Sequence, residues 1–304
     1  MSGSILETVI PWNESVWFFD IDDTLTDTSD ISHLAAIGIE KVFTERFDKL
    51  IGDAVKNKVN EYHDLMIRGG RVKDETEWKK IPGGKLAFQN LVRSIESYER
   101  EIIKQFGEAK KWSREVFVKL AADELSIIVT PELVHEAVDA YWAELTQITK
   151  AFKDALELIK TIKGHHRPIY LLTSSDGRLQ LQDNNQFLYE PSYSEALKRK
   201  RIELLRDKGI EFNLLSIGDP EDKPHRVFFE KGIAGAAKDL GAPLDLKNAI
   251  MVGDSFPSDL RTPKEQLGFG LVVLINRSGP PLQFVDKHQV NTNDLSEVSK
   301  LLKF

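Results

Sequence analysis

The segment Asp20–Asp30, DIDDTLTDTSD, places five carboxylates directly after the apolar stretch Val16–Phe19. Two like charges about 4 Å apart repel by about 1 kcal/mol in water and about 4 kcal/mol at an effective dielectric near 20. Acids crowded at the mouth of a buried segment therefore call for a counter-charge. Two further sites carry suitable groups: Thr173 closes the run "RPIYLLT", and Asp254 closes "NAIMVGD". Side by side, these chain ends would offer carboxylate, hydroxyl and carboxylate around one point. Hard divalent cations take such oxygen donors.

Familiar loops do not explain the acids. An EF-hand beginning at Asp20 would have Thr24, Leu25 and Ile31 at its fifth, sixth and twelfth positions, and each is wrong. "PGGKL" lacks the first glycine and the hydroxyl of a Walker A loop, and "SSDG" is no nucleophile elbow.

Short apolar runs must hold these groups in place. "SVWFFD", "RPIYLLT", "FNLLSIGD", "NAIMVGD" and "FGLVVLI" are each closed by a polar residue or a turn, and they suit strands buried on both faces. Helical patterns separate the later runs, which predicts a doubly wound, mostly parallel α/β sheet. In such sheets ligands bind outside the carboxyl ends of the strands.

Residues 28–147 read differently. Their apolar positions recur at steps of three and four, as in Val134, Ala137, Val138, Tyr141, Trp142 and Leu145. Thr130-Pro131-Glu132 forms a helix start. Gly69-Gly70 and Pro82-Gly83-Gly84 are expected to break the series. The predicted organisation is a catalytic core over 1–27 and 148–304 with an all-helical cap over 28–147. Two domains in tandem would leave the first strand without its sheet.

The chain has 304 residues, 41% of them apolar, a net charge of −7 and no cysteine. Disulfides, thiol catalysis and cysteine-bound zinc are excluded. The acidic balance argues against a dedicated nucleic-acid binder. No apolar run is long enough for a membrane span and the N-terminus does not resemble a signal peptide, so a soluble, cytoplasmic protein is expected. Oligomeric state is not legible.

Taken in order, "FFDIDDTL", "YLLTSS", "KPHRVFF" and "MVGDSFPSDL" resemble the four motifs of the haloacid dehalogenase (HAD) superfamily, and the helical block stands where that family carries its type-1 cap. The resemblance covers the core, and the sequence of the block itself is not recognised. It implies a HAD-like Rossmannoid core and a Mg2+-dependent phosphomonoester hydrolase acting on a small phosphorylated metabolite. Asp20 would be the nucleophile, forming an aspartyl phosphate, and Asp22 the general acid and base. Asp20, the Asp22 carbonyl and Asp254 would hold the metal, with Asp259 as ligand or orienting group. Manganese would satisfy the same donors. Thr173 and the Ser174 N–H would bind phosphate.

Lys223 would pair Asp20 with the phosphate. Arg226 stands where the family often has a second proline, so Lys231 is the alternative. Asp23 is expected to solvate or cap. His165, His166 and His225 are read as structural, and Arg68, Arg71, Lys73 and Lys85 as cap residues that would meet substrate. Two other readings use the same residues: a capped phosphomutase, and a non-catalytic phosphate-binding module.

Overall fold

The computed structural model describes residues 10–302 apart from 73 and 111, with Arg71 through its backbone alone. The chain forms two compact units. One comprises residues 1–29, 149–175 and 198–304, and the other residues 30–148 and 176–197.

The first unit is built on a seven-stranded sheet. Its strands are β1 (Val16–Phe19), β2 (Ile169–Ser174), β3 (Leu214–Gly218), β4 (Ala249–Gly253), β5 (Leu271–Ile275), β6 (Gln283–Asp286) and β7 (Gln289–Thr292). Their order is β6-β7-β5-β4-β1-β2-β3, and only the β6–β7 pair is antiparallel. β1, at the centre, is buried along its whole length. Alternation sends its side chains to opposite faces. Trp17 and Phe19 join a core with Leu158, Ile159 and Ile162, whereas Val16 and Phe18 join one with Phe228, Phe229 and Met251. Helices on both faces make those continuous apolar runs stable as strands. Beyond β1, Thr26–Asp27 pairs antiparallel with Lys150–Ala151, pinning together the two chain segments that flank the inserted block.

The second unit is helical, with helices at Ser32–Ala35, Ile37–Arg46, Lys49–Arg71, Gly84–Tyr98, Arg100–Phe106, Arg114–Glu124 and Pro131–Ile148. Thr130 caps the last of these, its Oγ1 accepting from the Leu133 N–H at 3.3 Å. Gly83 and Gly84 have φ of 71° and 61°, which explains the break expected at that point. Gly69-Gly70 does not interrupt its helix, contrary to the sequence reading. Both lie in its last turns, and a Cβ on Gly69 would lie 2.1 Å from the Phe88 ring. Close packing, not chain reversal, is the reason for that glycine.

The second unit also takes Asp176–Leu197, a segment that the sequence reading left in the core. It holds a small hairpin, Gln180–Leu181 against Phe187–Leu188. Leu179, Leu181, Phe187 and Tyr189 are buried in the helical core, with Tyr98 and Phe106 packed beside them. Arg178 fixes the segment through Glu115 at 2.5 Å and Asp139 at 2.6 Å.

Candidate active site

Register brings the predicted groups to one edge of the first unit. Phe19 pairs with Leu171 of β2 and Val252 of β4, so β1, β2 and β4 end side by side. The Asp20 N–H donates to the Val252 carbonyl at 2.9 Å, holding Asp20 just past the last strand pair. Asp254 follows β4, and Asp259 lies in the short helical turn Phe256–Leu260. Carboxylate oxygens of Asp20, Asp254 and Asp259 all lie within 4.8 Å of one another. Gly253 permits this: a Cβ there would stand 2.5 Å from the Cβ of Asp259. The Ser255 N–H donates to Asp259 Oδ2 at 2.9 Å and fixes that carboxylate.

Lys223, in the loop after β3, donates to Asp20 and, at 2.8 Å, to Asp259. Its side chain is 4% exposed, so this is a buried ammonium shared by two carboxylates. Burial alone would lower the lysine's affinity for its proton, but Asp20 and Asp259 overcome that and raise it. Lys231, the alternative, pairs at the surface with Glu221. The Lys223 N–H donates to Asp222 at 2.6 Å, and Asp222 sits over Gly218, where a Cβ would be 2.2 Å from its Oδ1. Glycines at the ends of β3 and β4 thus make room for the acids that hold the loops.

For Asp20, burial raises the carboxyl, Lys223 lowers it, and Asp259 and Asp22 raise it further; the result is an acid pushed up to about 7. Asp254 is pushed up as well, by loss of solvent on its protein side and then by Asp20 and Asp259, although the residue as a whole remains exposed. One ammonium against three carboxylates leaves the cluster short of positive charge. An oxygen-only donor set that is net negative is what Mg2+ takes, so the residues fit that ion.

Thr173, next to last in β2, has its Oγ1 buried and without a hydrogen-bond partner among the described residues. Such orphaned groups are uncommon in folded proteins, and this one lies at the strand end beside Asp20. Ser174 follows it, paired in register with Gly218 of β3. Asp23 occupies a left-handed turn with φ of 61°, and its Oδ1 accepts from the Ser29 N–H at 2.8 Å and the Thr28 N–H at 3.3 Å. It is a capping carboxylate.

Asp22 is placed differently from a free acid. Its carboxylate accepts from Thr28 Oγ1 at 3.0 Å and from Lys198 Nζ at 3.0 Å, with Arg201 3.9 Å away. Burial pushes its carboxyl upward, but Lys198 and Arg201 outweigh it and hold the acid well below the usual range. Sequence reasoning missed both cations. The signal available was "LKRKRIE", in which Lys198 and Arg201 stand three apart on one helical face.

Arg68 belongs to the helical unit, half exposed and paired with Asp64 at 2.8 Å. Lys85 pairs with Glu75 at 2.5 Å. The side chain of Arg71, and Lys73 as a whole, lie outside the described residues. His165 stacks on Trp12 with ring centroids 4.2 Å apart, a structural contact.

Comparison with solved structures bears on the fold. YfnB of Bacillus subtilis, provisionally assigned as a HAD-hydrolase and solved with bound magnesium, is 13% identical, with 96% of this chain and 99% of that one covered and a TM-score of 0.53. A protein of Thermotoga maritima, provisionally assigned as a β-phosphoglucomutase, is 14% identical over 94% of this chain and 98% of its own, with a TM-score of 0.50. No protein-family model matches the sequence, and no curated protein matches it either. The chain therefore has the fold of the HAD superfamily, an α/β core with a helical insertion.

Proposed function

We propose that the chain is a Mg2+-dependent phosphomonoester hydrolase that works through an aspartyl phosphate on Asp20 and acts on a small phosphorylated metabolite in the cytoplasm. The observation that carries this reading is the joining of Lys223 to Asp20 and Asp259, with Asp254 in the same cluster, at the carboxyl ends of adjacent strands. Asp20, Asp254 and the Asp22 carbonyl would hold the metal, with Asp259 as a further ligand or as the group that orients the others. When bound, Mg2+ would neutralise charge on the phosphoryl oxygens.

The chain's own groups supply the remaining steps. Asp20 attacks phosphorus and expels the alcohol; Lys223 keeps the attacking carboxylate oriented and offsets the dianion's charge. Thr173 Oγ1, which has no hydrogen-bond partner among the described residues, donates to a phosphoryl oxygen. Asp22, paired with Lys198, is held as an anion and so is ready as the base that takes a proton from the hydrolytic water. Protonating the leaving oxygen needs the same carboxyl to carry a proton first, taken from solvent as Lys198 and Arg201 let go; it passes that proton to the alcohol and, as an anion again, takes one from the water that splits the phosphorus–oxygen bond to Asp20.

A screen of phosphorylated metabolites with Mg2+ and with chelator tests the reading. Phosphate release that needs the metal is expected. No turnover in either condition would favour the phosphate-binding module, and isomerised sugar phosphate without free phosphate would assign a mutase.

A further inference from the structure

Arg114, at the start of helix Arg114–Glu124 in the helical unit, is 6% exposed. Several other buried cations sit within 4 Å of a carboxylate: Lys223 on Asp20 and Asp259, Lys198 on Asp22, Arg178 on Glu115 and Lys119 on Asp123. Arg114 has no such partner among the described residues. Its Nη1 donates to the Trp112 carbonyl at 2.8 Å and its Nη2 to the Tyr141 hydroxyl at 3.3 Å. Its Nε is buried without a partner. The adjacent acid in sequence, Glu115, is already engaged by Arg178 and Ser113.

Rings surround the guanidinium, its Cζ lying 5.1 Å from the centroid of Tyr141, 5.5 Å from Phe117 and 5.8 Å from Trp142. Ring faces hold a cation in position but do not cancel its charge. His63 is close by, with Nδ1 3.4 Å from Ser32 Oγ and its ring edge-on to Trp112, which is itself 44% exposed. Burial, then the charges of Arg114 and His33, push His63 down to about 2, so it stays neutral. Arg114 is thus the buried positive charge of this locus, reinforced by the helix N-terminus.

A buried guanidinium without a counter-ion is costly, and a planar anion on its free Nε edge would relieve that cost. We propose that the helical unit carries a carboxylate-binding site centred on Arg114, with His63, Ser32, Trp112 and Tyr141 around it. The ligand is a small molecule bearing one carboxylate; a dianionic phosphate would bring more charge than the site can neutralise.

The test uses the full chain labelled with 5-fluorotryptophan, in chelator, titrated with acetate, acetamide and inorganic phosphate. The 19F signals of Trp112 and Trp142 are expected to move saturably with acetate alone, while those of Trp12, Trp17 and Trp78 stay fixed. Arg114→Gln is expected to weaken acetate binding by about tenfold or more. Tyr141→Phe keeps the ring, removes one acceptor from the guanidinium, and is expected to bind acetate at least as tightly. It decides the matter if Arg114→Gln does not fold. The proposal is overturned by an equal response to acetamide, by a response to phosphate in preference to acetate, by no response, or by tenfold weaker binding in Tyr141→Phe.

Discussion

Lys223 bonds Asp259 at 2.8 Å with the same ammonium that it gives to Asp20. One cation thus ties the proposed nucleophile to the acid that anchors the loop after β4. Lys223→Met leaves two buried carboxylates without their partner, and removing one member of a buried pair costs about 3–5 kcal/mol. Urea unfolding in chelator should show a loss of that size. Mg2+ affinity should move the other way, because a competing cation has gone. Weaker Mg2+ binding in the variant would contradict the arrangement.

Metal binding should depend on pH. Burial first, and then the repulsion of Asp259 and Asp22 against the pull of Lys223, leaves the Asp20 carboxyl near 7, and Asp254 is raised too. Below that range protons compete with the metal, since a ligating carboxylate must be ionised. Apparent Mg2+ affinity is expected to rise from pH 5.5 to 7.5 and then level off, with protons released on binding. Calorimetry at pH 6.5 in buffers of different ionisation enthalpy reads that release; buffer-independent heats would contradict it.

Lys198 and Arg201 should set the ionisation of Asp22. Lys198→Met removes the nearer cation and lets the Asp22 carboxyl climb toward the usual carboxylate range. A 13C NMR titration of the Asp22 carboxyl in the metal-free chain should show its midpoint about one unit or more higher in the variant than in the wild type. An unchanged midpoint would show that Lys198 does not set the ionisation of Asp22.

These cations show where the sequence stops being legible. Asp20, Thr173 and Asp254 stand out because each closes an apolar run, a local pattern that survives without neighbours. Lys198 and Arg201 lie in a helix whose sequence looks like a solvated face, yet they are 1% and 7% exposed. Only the fold reveals that Asp22 pairs with them. Asp176–Leu197 was misassigned for a related reason: Leu179, Leu181, Phe187 and Tyr189 announce that they are buried but not among which helices. Glu99 stands in a strongly charged stretch yet is buried, its carboxylate accepting from the Lys110 N–H. The fold class and the order of the four motif segments were readable; long-range pairing of charges was not.

His63 gives a stability prediction in the helical unit. Burial, reinforced by Arg114 and His33, pushes it down to about 2, against an ordinary value near 6.5. As pH falls below about 6.5 the unfolded chain takes up a proton that the folded chain refuses, so stability falls with it. The slope from this residue approaches about 1.4 kcal/mol per pH unit. Urea midpoints of His63→Gln between pH 7.5 and 5 should fall less than those of the wild type; parallel curves would show that His63 is not held neutral.

Phosphate release by Asp20→Asn tests the central claim most directly. The substitution keeps the shape of the side chain and removes the attacking carboxylate. On whichever phosphate monoester the wild-type chain cleaves with Mg2+, the variant is expected to lose at least about a thousandfold in kcat, the scale on which nucleophile removal acts. Turnover by Asp20→Asn at the wild-type rate would contradict an aspartyl-phosphate mechanism on this residue.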